Sequence, residues 1–258
     1  MQTTLEGIVA WKAALTGAVF ALLFVGERMA AAAPAPKGWG RLARNGVLWL
    51  MLLLLSPLIV LPLTAFASAH PLWARPEGWS GWLALAADIA IFDLWAYWVH
   101  RAYHEIPLMR RLHIAHHLDE HLDTTSAVRF HPSEVALSAV LRMVPIVLLA
   151  IPFSHVVIFE ALLLAASLFH HSNLRLPVGF EAALSRVIVT PSIHWVHHHA
   201  HWRDTNSNYA AVFSVWDPLF RTRSPNRREK GMKIGVEGLG DRTLLGLLLA
   251  PFQRTDLK

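Results

Sequence analysis

The chain reads as an all-α integral membrane protein: four to five transmembrane or hairpin helices beneath a cytoplasmic, histidine-rich helical cap. Three observations predict this. Hydrophobic residues make up 54% of the 258 and charged residues only 16%, where a soluble domain carries about 25% charge. Five apolar stretches approach the roughly 20 residues a spanning helix needs. Sixteen histidines and no cysteine are present, and most of the histidines gather beside the ends of those stretches.

The first span is expected over residues 5–25, and its apolar run 8–25 could be read as a leader with a cleavage site at Ala30 to Ala33. Glu6 precedes it and Lys12 falls inside it, so no basic leading region exists and an uncleaved span is expected. Residues 31–40 are a short loop. Residues 47–67 form the second span despite Pro57 and Pro62, and residues 82–99 the third, with Asp88 and Asp93 inside. Residues 135–151 and 156–169 follow, parted by Pro152-Phe153-Ser154-His155, and read as a helical hairpin. Residues 242–252 form a short apolar helix on the cap or on the lipid surface. Two units are expected: N-terminal spans over 1–80 and a catalytic-type unit over 81–258.

Charge orients the spans. Arg28, Lys37, Arg41 and Arg44 follow the first; Arg101, Arg110, Arg111 and Arg129 follow the third; Arg175 and Arg186 follow the fifth. The intervening turns carry almost none. Basic loops stay in the cytoplasm, so the N-terminus is expected outside and every histidine cluster inside. No basic helix is patterned for a nucleic-acid groove, so that partner is excluded. The absence of cysteine excludes thiolate metal sites, disulfides and a cysteine nucleophile.

His100 and His104 stand at i and i+4. His113, His116 and His117 stand at i, i+3 and i+4, and His194, His197 and His198 repeat that pattern. These separations bring side chains onto one helix face, and neutral imidazole is the commonest transition-metal ligand. Eight or more histidines exceed the needs of one metal and favour two. Asp93, Tyr97, His100 and His104 share a helical stripe, so Asp93 is a candidate to orient a ligand by accepting its second N–H. Asp93 stands about 10.5 Å from His100 along the axis. Its partner is therefore expected in another cluster, at His171 or within 190–198. Glu160, eleven residues before His171, is a weaker candidate for the same task. His199 and His201 turn to another face, and His70, His121 and His155 read as interfacial. Tryptophans near span ends suit the membrane boundary. The basic run 221–233 reads as a solvated face, with an acidic electron donor or anionic headgroups as the alternatives.

Asp93-Leu-Trp-Ala-Tyr-Trp-Val-His100-Arg-Ala-Tyr-His104, Arg129-Phe-His131-Pro132, His171-Ser-Asn173, Thr190-Pro-Ser-Ile-His194-Trp-Val-His197-His198, Asn208-Tyr209 and Trp216-Asp217-Pro-Leu-Phe-Arg-Thr222 resemble the motifs of the membrane fatty acid hydroxylase / sterol desaturase superfamily. The resemblance covers residues 84–252. It departs at His170, where bacterial relatives usually have Asn, and at Ala210, where Gly is common; His170 is taken as a bystander. The resemblance implies a non-haem di-iron centre that uses O2 to hydroxylate or desaturate a lipid: sterol, fatty acyl, carotenoid or ether lipid. Zinc would be a substitute in the isolated protein. The implied ligands are His100, His104, His113, His116, His117, His171, His194, His197 and His198, with His131 a tenth. Asp93, Glu160, Asn173 and Asn208 would hold them in place, and no catalytic residue is expected beyond the ligands. No fused haem or flavin domain is evident, so electrons would come from a separate ferredoxin- or cytochrome-type protein. The resemblance to bacterial members places the chain in a bacterial inner membrane. Two other readings are weighed. A zinc-dependent membrane hydrolase lacks His-Glu-x-x-His and any acidic residue inside a box. A metal transporter or sensor would place ligands near the bilayer midplane on broken helices, not at cytoplasmic ends.

Overall fold

A computed structural model describes residues 2–253; Met1 and residues 254–258 of the C-terminal unit lie outside the described residues. The described chain is helical and forms no strand beyond isolated bridges. Five segments are long and apolar enough to cross a membrane: Ala10–Met29, Gly40–Ala69, Gly81–Glu105, Pro132–Leu149 and Phe153–His171. They coincide with the five apolar stretches of the sequence.

Helix α1 (Gln2–Met29) packs along the last span. The second span is continuous but not uniform: α2 (Gly40–Leu55) passes through a π-type turn over Ser56–Val60 into α3 (Leu61–Ala69). Pro57 sits in that turn, and a proline lacks the N–H that the α ladder requires, so the widened turn absorbs it. Helix α4 (Gly81–Glu105) runs through the centre of the bundle. At Ile106 the backbone becomes extended, and Pro107 opens α5 (Pro107–His117), folded back against the end of α4. Pro132 opens α6 (Pro132–Leu149) in the same way, and α7 (Phe153–His171) returns after a left-handed turn at Ala150. These two helices are sequential but splay: α6 leans on α3 and α4, whereas α7 leans on α1, α4 and α9 (Pro191–His197).

The His-bearing ends of α4 and α7 therefore meet the start of α6 and the loop between α1 and α2 at one end of the bundle. Ala31 bridges Leu174 there, and Glu27 of α1 accepts the backbone N–H groups of Thr124 and Asn173, both at 2.9 Å. The C-terminal helix α12 (Leu244–Leu249, after the short α8, α10 and α11 at Val178–Leu184, Trp202–Thr205 and Trp216–Leu219) packs on the cap. Its Leu247 joins Leu48, Ile114 and Leu118 in a buried cluster, while Leu245 and Phe252 stay exposed.

Glu160 does not support His171. Eleven residues of helix separate the two by about 16 Å, and the carboxylate is taken by Lys12 of α1 at 2.5 Å and by Arg142 of α6. A carboxylate inside a span is costly unless paired. Its role is to tie α1, α6 and α7 together near the far face.

Candidate metal centre

Nine of the ten histidines named from the sequence come together, in two abutting groups. His100, His104, His113, His117 and His197 form one; His116, His171, His194 and His198 form the other. Within each group one nitrogen per ring lies within 4.8 Å of all the others. All but the half-buried His100 are buried. The groups touch where the His117 ring stacks on His198, centroids 4.3 Å apart. The i, i+3, i+4 pattern explains the split: His113 and His117, four apart, point one way, and His116 points the other.

Five of the rings have a fixed orientation. The Nδ1–H of His100 donates to the Tyr209 carbonyl at 2.8 Å, that of His197 to Ser207 at 2.7 Å, that of His171 to Ser167 at 2.8 Å and that of His116 to Arg129 at 3.2 Å. The Nδ1–H of His113 donates to the Glu134 carboxylate at 2.7 Å. A carbonyl can only accept, so the four rings facing carbonyls carry their proton on Nδ1 and leave a lone pair on Nε2. In the first group the Nε2 atoms of His104, His113 and His197 and both nitrogens of His117 are buried with no hydrogen-bond partner among the described residues. In the second, the Nε2 atoms of His116 and His171 stand 3.0 Å apart, those of His171 and His194 2.9 Å, and those of His194 and His198 3.1 Å. His116 and His171 both spend their proton on a carbonyl, so two lone pairs face each other at hydrogen-bond distance with no proton between them. A cation shared between them would resolve that repulsion. Bonds of about 2.1 Å meeting at right angles separate neighbouring nitrogens by about 3.0 Å, whereas tetrahedral angles give about 3.4 Å.

Burial also keeps the donors neutral. It depresses the His113 imidazole to about 3. Burial, reinforced by neighbouring imidazoles, depresses those of His116, His117, His194, His197 and His198 well below the ordinary value. Neutral imidazole is the form that binds a metal.

A buried polar network fixes the outer side of α5. Arg41 of α2 grips Asp119 at 2.6 Å, Asp123 at 2.6 Å and the His121 carbonyl at 2.6 Å. Burial alone would raise the Asp119 carboxyl, but Arg41 and Arg129 beside it hold it below its ordinary value. Arg129, fully buried, donates to the Ala115 carbonyl at 2.9 Å and to Asp241 at 2.5 Å, while its own carbonyl receives His116. His121, expected at the interface, is buried against Trp195 within this region.

Several expectations are corrected. His131 stands outside both groups: its Nδ1 caps α6 by accepting the Ser133 N–H at 3.1 Å, and its Nε2 meets the Leu248 carbonyl at 3.1 Å. Asp93 touches no histidine. It accepts the N–H groups of Val212 and Phe213 at 3.0 and 2.9 Å and the Trp216 indole N–H at 2.7 Å. It acts through the backbone, pinning the segment whose Tyr209 carbonyl holds His100. Asn173 pairs with both backbone groups of Ala33, at 2.9 and 2.8 Å, and clamps the α1–α2 loop beside His171. Asn208, at φ +53°, bonds the Ile193 carbonyl at 3.2 Å and the Ser224 N–H at 3.0 Å, setting the turn that presents Ser207 and Tyr209. His170 belongs to neither group, although its ring lies 4.0 Å from His194.

Glu134 and Arg129 are the residues that sequence reasoning missed. The signal for Glu134 was its place in the first turn of a helix, three residues beyond His131. Glu134→Gln retains the size but replaces the carboxyl group that anchors His113 with an amide. Metal affinity is expected to fall about 10–100-fold with little change in melting temperature, measured by competition with a calibrated chelator.

An all-helical membrane-spanning bundle capped by two abutting imidazole cages defines the class. The chain belongs to the fatty acid hydroxylase family, whose model matches residues 85–222, just over half of the 258. It is 27% identical to an ornithine lipid hydroxylase of Rhizobium tropici over 183 residues, 71% of this chain and 54% of that protein. It is 30% identical to an alkylglycerol monooxygenase of Danio rerio over 149 residues, 58% of this chain and 31% of that protein, and 29% identical to the Homo sapiens alkylglycerol monooxygenase over 143 residues, 55% of this chain and 31% of that protein. The chain thus spans about half the length of the first and about a third of the others. No solved structure matches the chain.

Proposed function

We propose that the protein is a membrane monooxygenase that hydroxylates a lipid, with two iron ions held by the nine clustered histidines. The observation that carries this is the pair of abutting cages, with Nε2 lone pairs converging inside a buried volume. Family membership and relatives named as lipid hydroxylases and monooxygenases support it. The all-imidazole donor set suits iron, zinc and copper alike; right-angle nitrogen spacing in the second group suits a six-coordinate ion better than tetrahedral zinc.

The bound metal pair would supply the activation of O2 that side chains cannot, which is what oxidation of an unactivated C–H bond requires. The chain's own residues do the rest. Glu134 and the Ser207, Tyr209, Ser167 and Arg129 carbonyls hold the rings in register. The close packing that buries eight of the nine rings excludes water, and the half-buried His100 marks the more accessible side. Hydroxylation consumes two electrons and two protons beyond those of the substrate, and the proposed source is a ferredoxin- or cytochrome-type donor. The basic loops beside the cages support a cytoplasmic side for them, and a bacterial inner membrane is the membrane proposed.

The test is protein purified without oxygen, analysed for metal, then supplied with lipid extract, reductant and 18O2. About two irons per chain and a lipid product gaining one 18O atom are expected. A single zinc per chain with oxygen-independent lipid cleavage would replace this reading with a hydrolase. Comparing the lipids of a deletion strain with wild type identifies the substrate.

A further inference from the structure

A polar cavity of about 540 Å³ opens on the flank of the last two turns of α4. Its walls carry four guanidiniums, Arg101, Arg203, Arg221 and Arg223, against two carboxylates, Glu105 and Asp204. Both carboxylates are already engaged. Glu105 pairs with Arg101 at 2.7 Å, and Asp204 accepts from His199 at 2.7 Å, Ser224 at 2.9 Å and Asn226 at 2.8 Å. The guanidiniums of Arg203, Arg221 and Arg223 make no hydrogen bond or close ion pair among the described residues, although Arg223 lies near enough to Asp217 to feel its charge.

The arginines are presented by a braced backbone. Arg221 is held at φ +57°, a conformation costly for a side chain with a Cβ. It is kept there because Thr222 on its far side donates to Asp217 at 2.8 Å and meets the Tyr97 hydroxyl at 2.9 Å, while its carbonyl accepts the Asn208 N–H at 2.9 Å. The cavity also borders the metal centre: Ser207 and Tyr209, whose carbonyls orient His197 and His100, are part of its wall. An exposed indole beside it suits the membrane boundary. Trp98, 43% exposed on α4, lies beneath the Arg101 guanidinium at 5.3 Å, and exposed indoles favour the headgroup level.

We propose that this cavity receives the anionic phosphate headgroup of a phospholipid, anchoring the lipid beside the His100 group. This deepens the lipid-hydroxylase reading and rests on it for the identity of that lipid as substrate. Three guanidiniums with no hydrogen-bonded partner, in a concave, headgroup-sized space, match a phosphate's several acceptor oxygens. A choline-type headgroup is disfavoured, because its cation would meet the uncompensated arginines.

The full chain, metal-loaded in a neutral detergent, is titrated with dihexanoyl phosphatidic acid, dihexanoyl phosphatidylcholine and inorganic phosphate by calorimetry. Phosphatidic acid is expected to bind at least about tenfold tighter than either of the others. Arg221→Gln and Arg223→Gln should each weaken it about tenfold, with metal content and melting temperature unchanged. Arg175→Gln, on an exposed basic residue outside the cavity, should not. Unaltered phosphatidic acid binding in both cavity variants overturns the proposal. So does inorganic phosphate binding as tightly as the lipid, which makes this a free-anion site. So does intact lipid binding with loss of only donor-driven turnover, which makes it the electron donor's dock. Binding through these arginines without any oxidised product would leave the headgroup site standing and remove the hydroxylase reading instead.

Discussion

His198→Ala is expected to abolish oxidation and to reduce the metal content from about two ions per chain to about one. The second group has only four nitrogens, and their mutual spacings of 2.9 to 3.1 Å leave no slack for a substitute donor. Losing even a residue that merely orients a ligand costs about 10–100-fold in metal affinity, and losing the ligand itself costs more. His113→Ala should remove activity by a second route as well. It takes one nitrogen from the first group and leaves the buried Glu134 carboxylate facing nothing. Leaving one buried hydrogen-bonding group without its partner costs about 1–3 kcal/mol, so this variant should also melt lower. Two controls define the boxes. His131→Ala should lose only a helix cap, about 1 kcal/mol, and keep its metal. His155→Ala should keep it too, since His155 contacts Asp88 at the opposite end of α4. Metal analysis of the four purified variants reads the result. Equal metal loss across all four would mean that the two groups are not special, and metal loss in His131→Ala would restore it as a ligand.

The spans and the clustering of the nine histidines were legible because each leaves a periodic trace in the chain. Apolar runs of 18 to 30 residues have no other stable solution in a bilayer. Histidines at i, i+3 and i+4 share a face whatever surrounds them. What holds the rings was not legible, for a physical reason: four of the five orienting acceptors are backbone carbonyls, and every residue has one. The side chains of Ser207, Tyr209, Ser167 and Arg129 carry no mark of that duty. The partners of Asp93 and Glu160 were mistaken on related grounds. A buried carboxylate announces that it has a partner but not which one. Both found partners distant in the chain: Asp93 found N–H groups some 120 residues on, and Glu160 found Lys12 nearly 150 residues back. His131 was misread because its position beside a box did not distinguish a ligand from a cap. Pro132 directly after it was the available clue, since proline favours the first turn of a helix.

Asp93→Leu is expected to unfold the segment that seats His100, and with it much of the cap. The Asp93 side chain is fully buried and accepts three donors: the Val212 and Phe213 N–H groups and the Trp216 indole. Leucine leaves all three buried and unpaired. Each such group costs about 1–3 kcal/mol, so the sum rivals the roughly 5–15 kcal/mol that holds a typical domain together. Asp93→Asn separates charge from shape. One acceptor oxygen survives, but the new amide group presents its own N–H toward a donor, so the variant should fold with a lower melting temperature. Its defect should reach the metal only through Tyr209, whose carbonyl fixes the His100 ring at 2.8 Å. Metal loss should therefore be confined to the His100 group, leaving about one ion per chain held by His116, His171, His194 and His198. Trp216→Phe is the companion: it removes one donor without stranding the carboxylate, and should cost less than either Asp93 variant. Thermal melts and metal counts on the three proteins check this order. Wild-type melting in Asp93→Leu would mean that the carboxylate holds nothing. Metal lost equally from both groups in Asp93→Asn would mean that its influence does not pass through Tyr209 and His100.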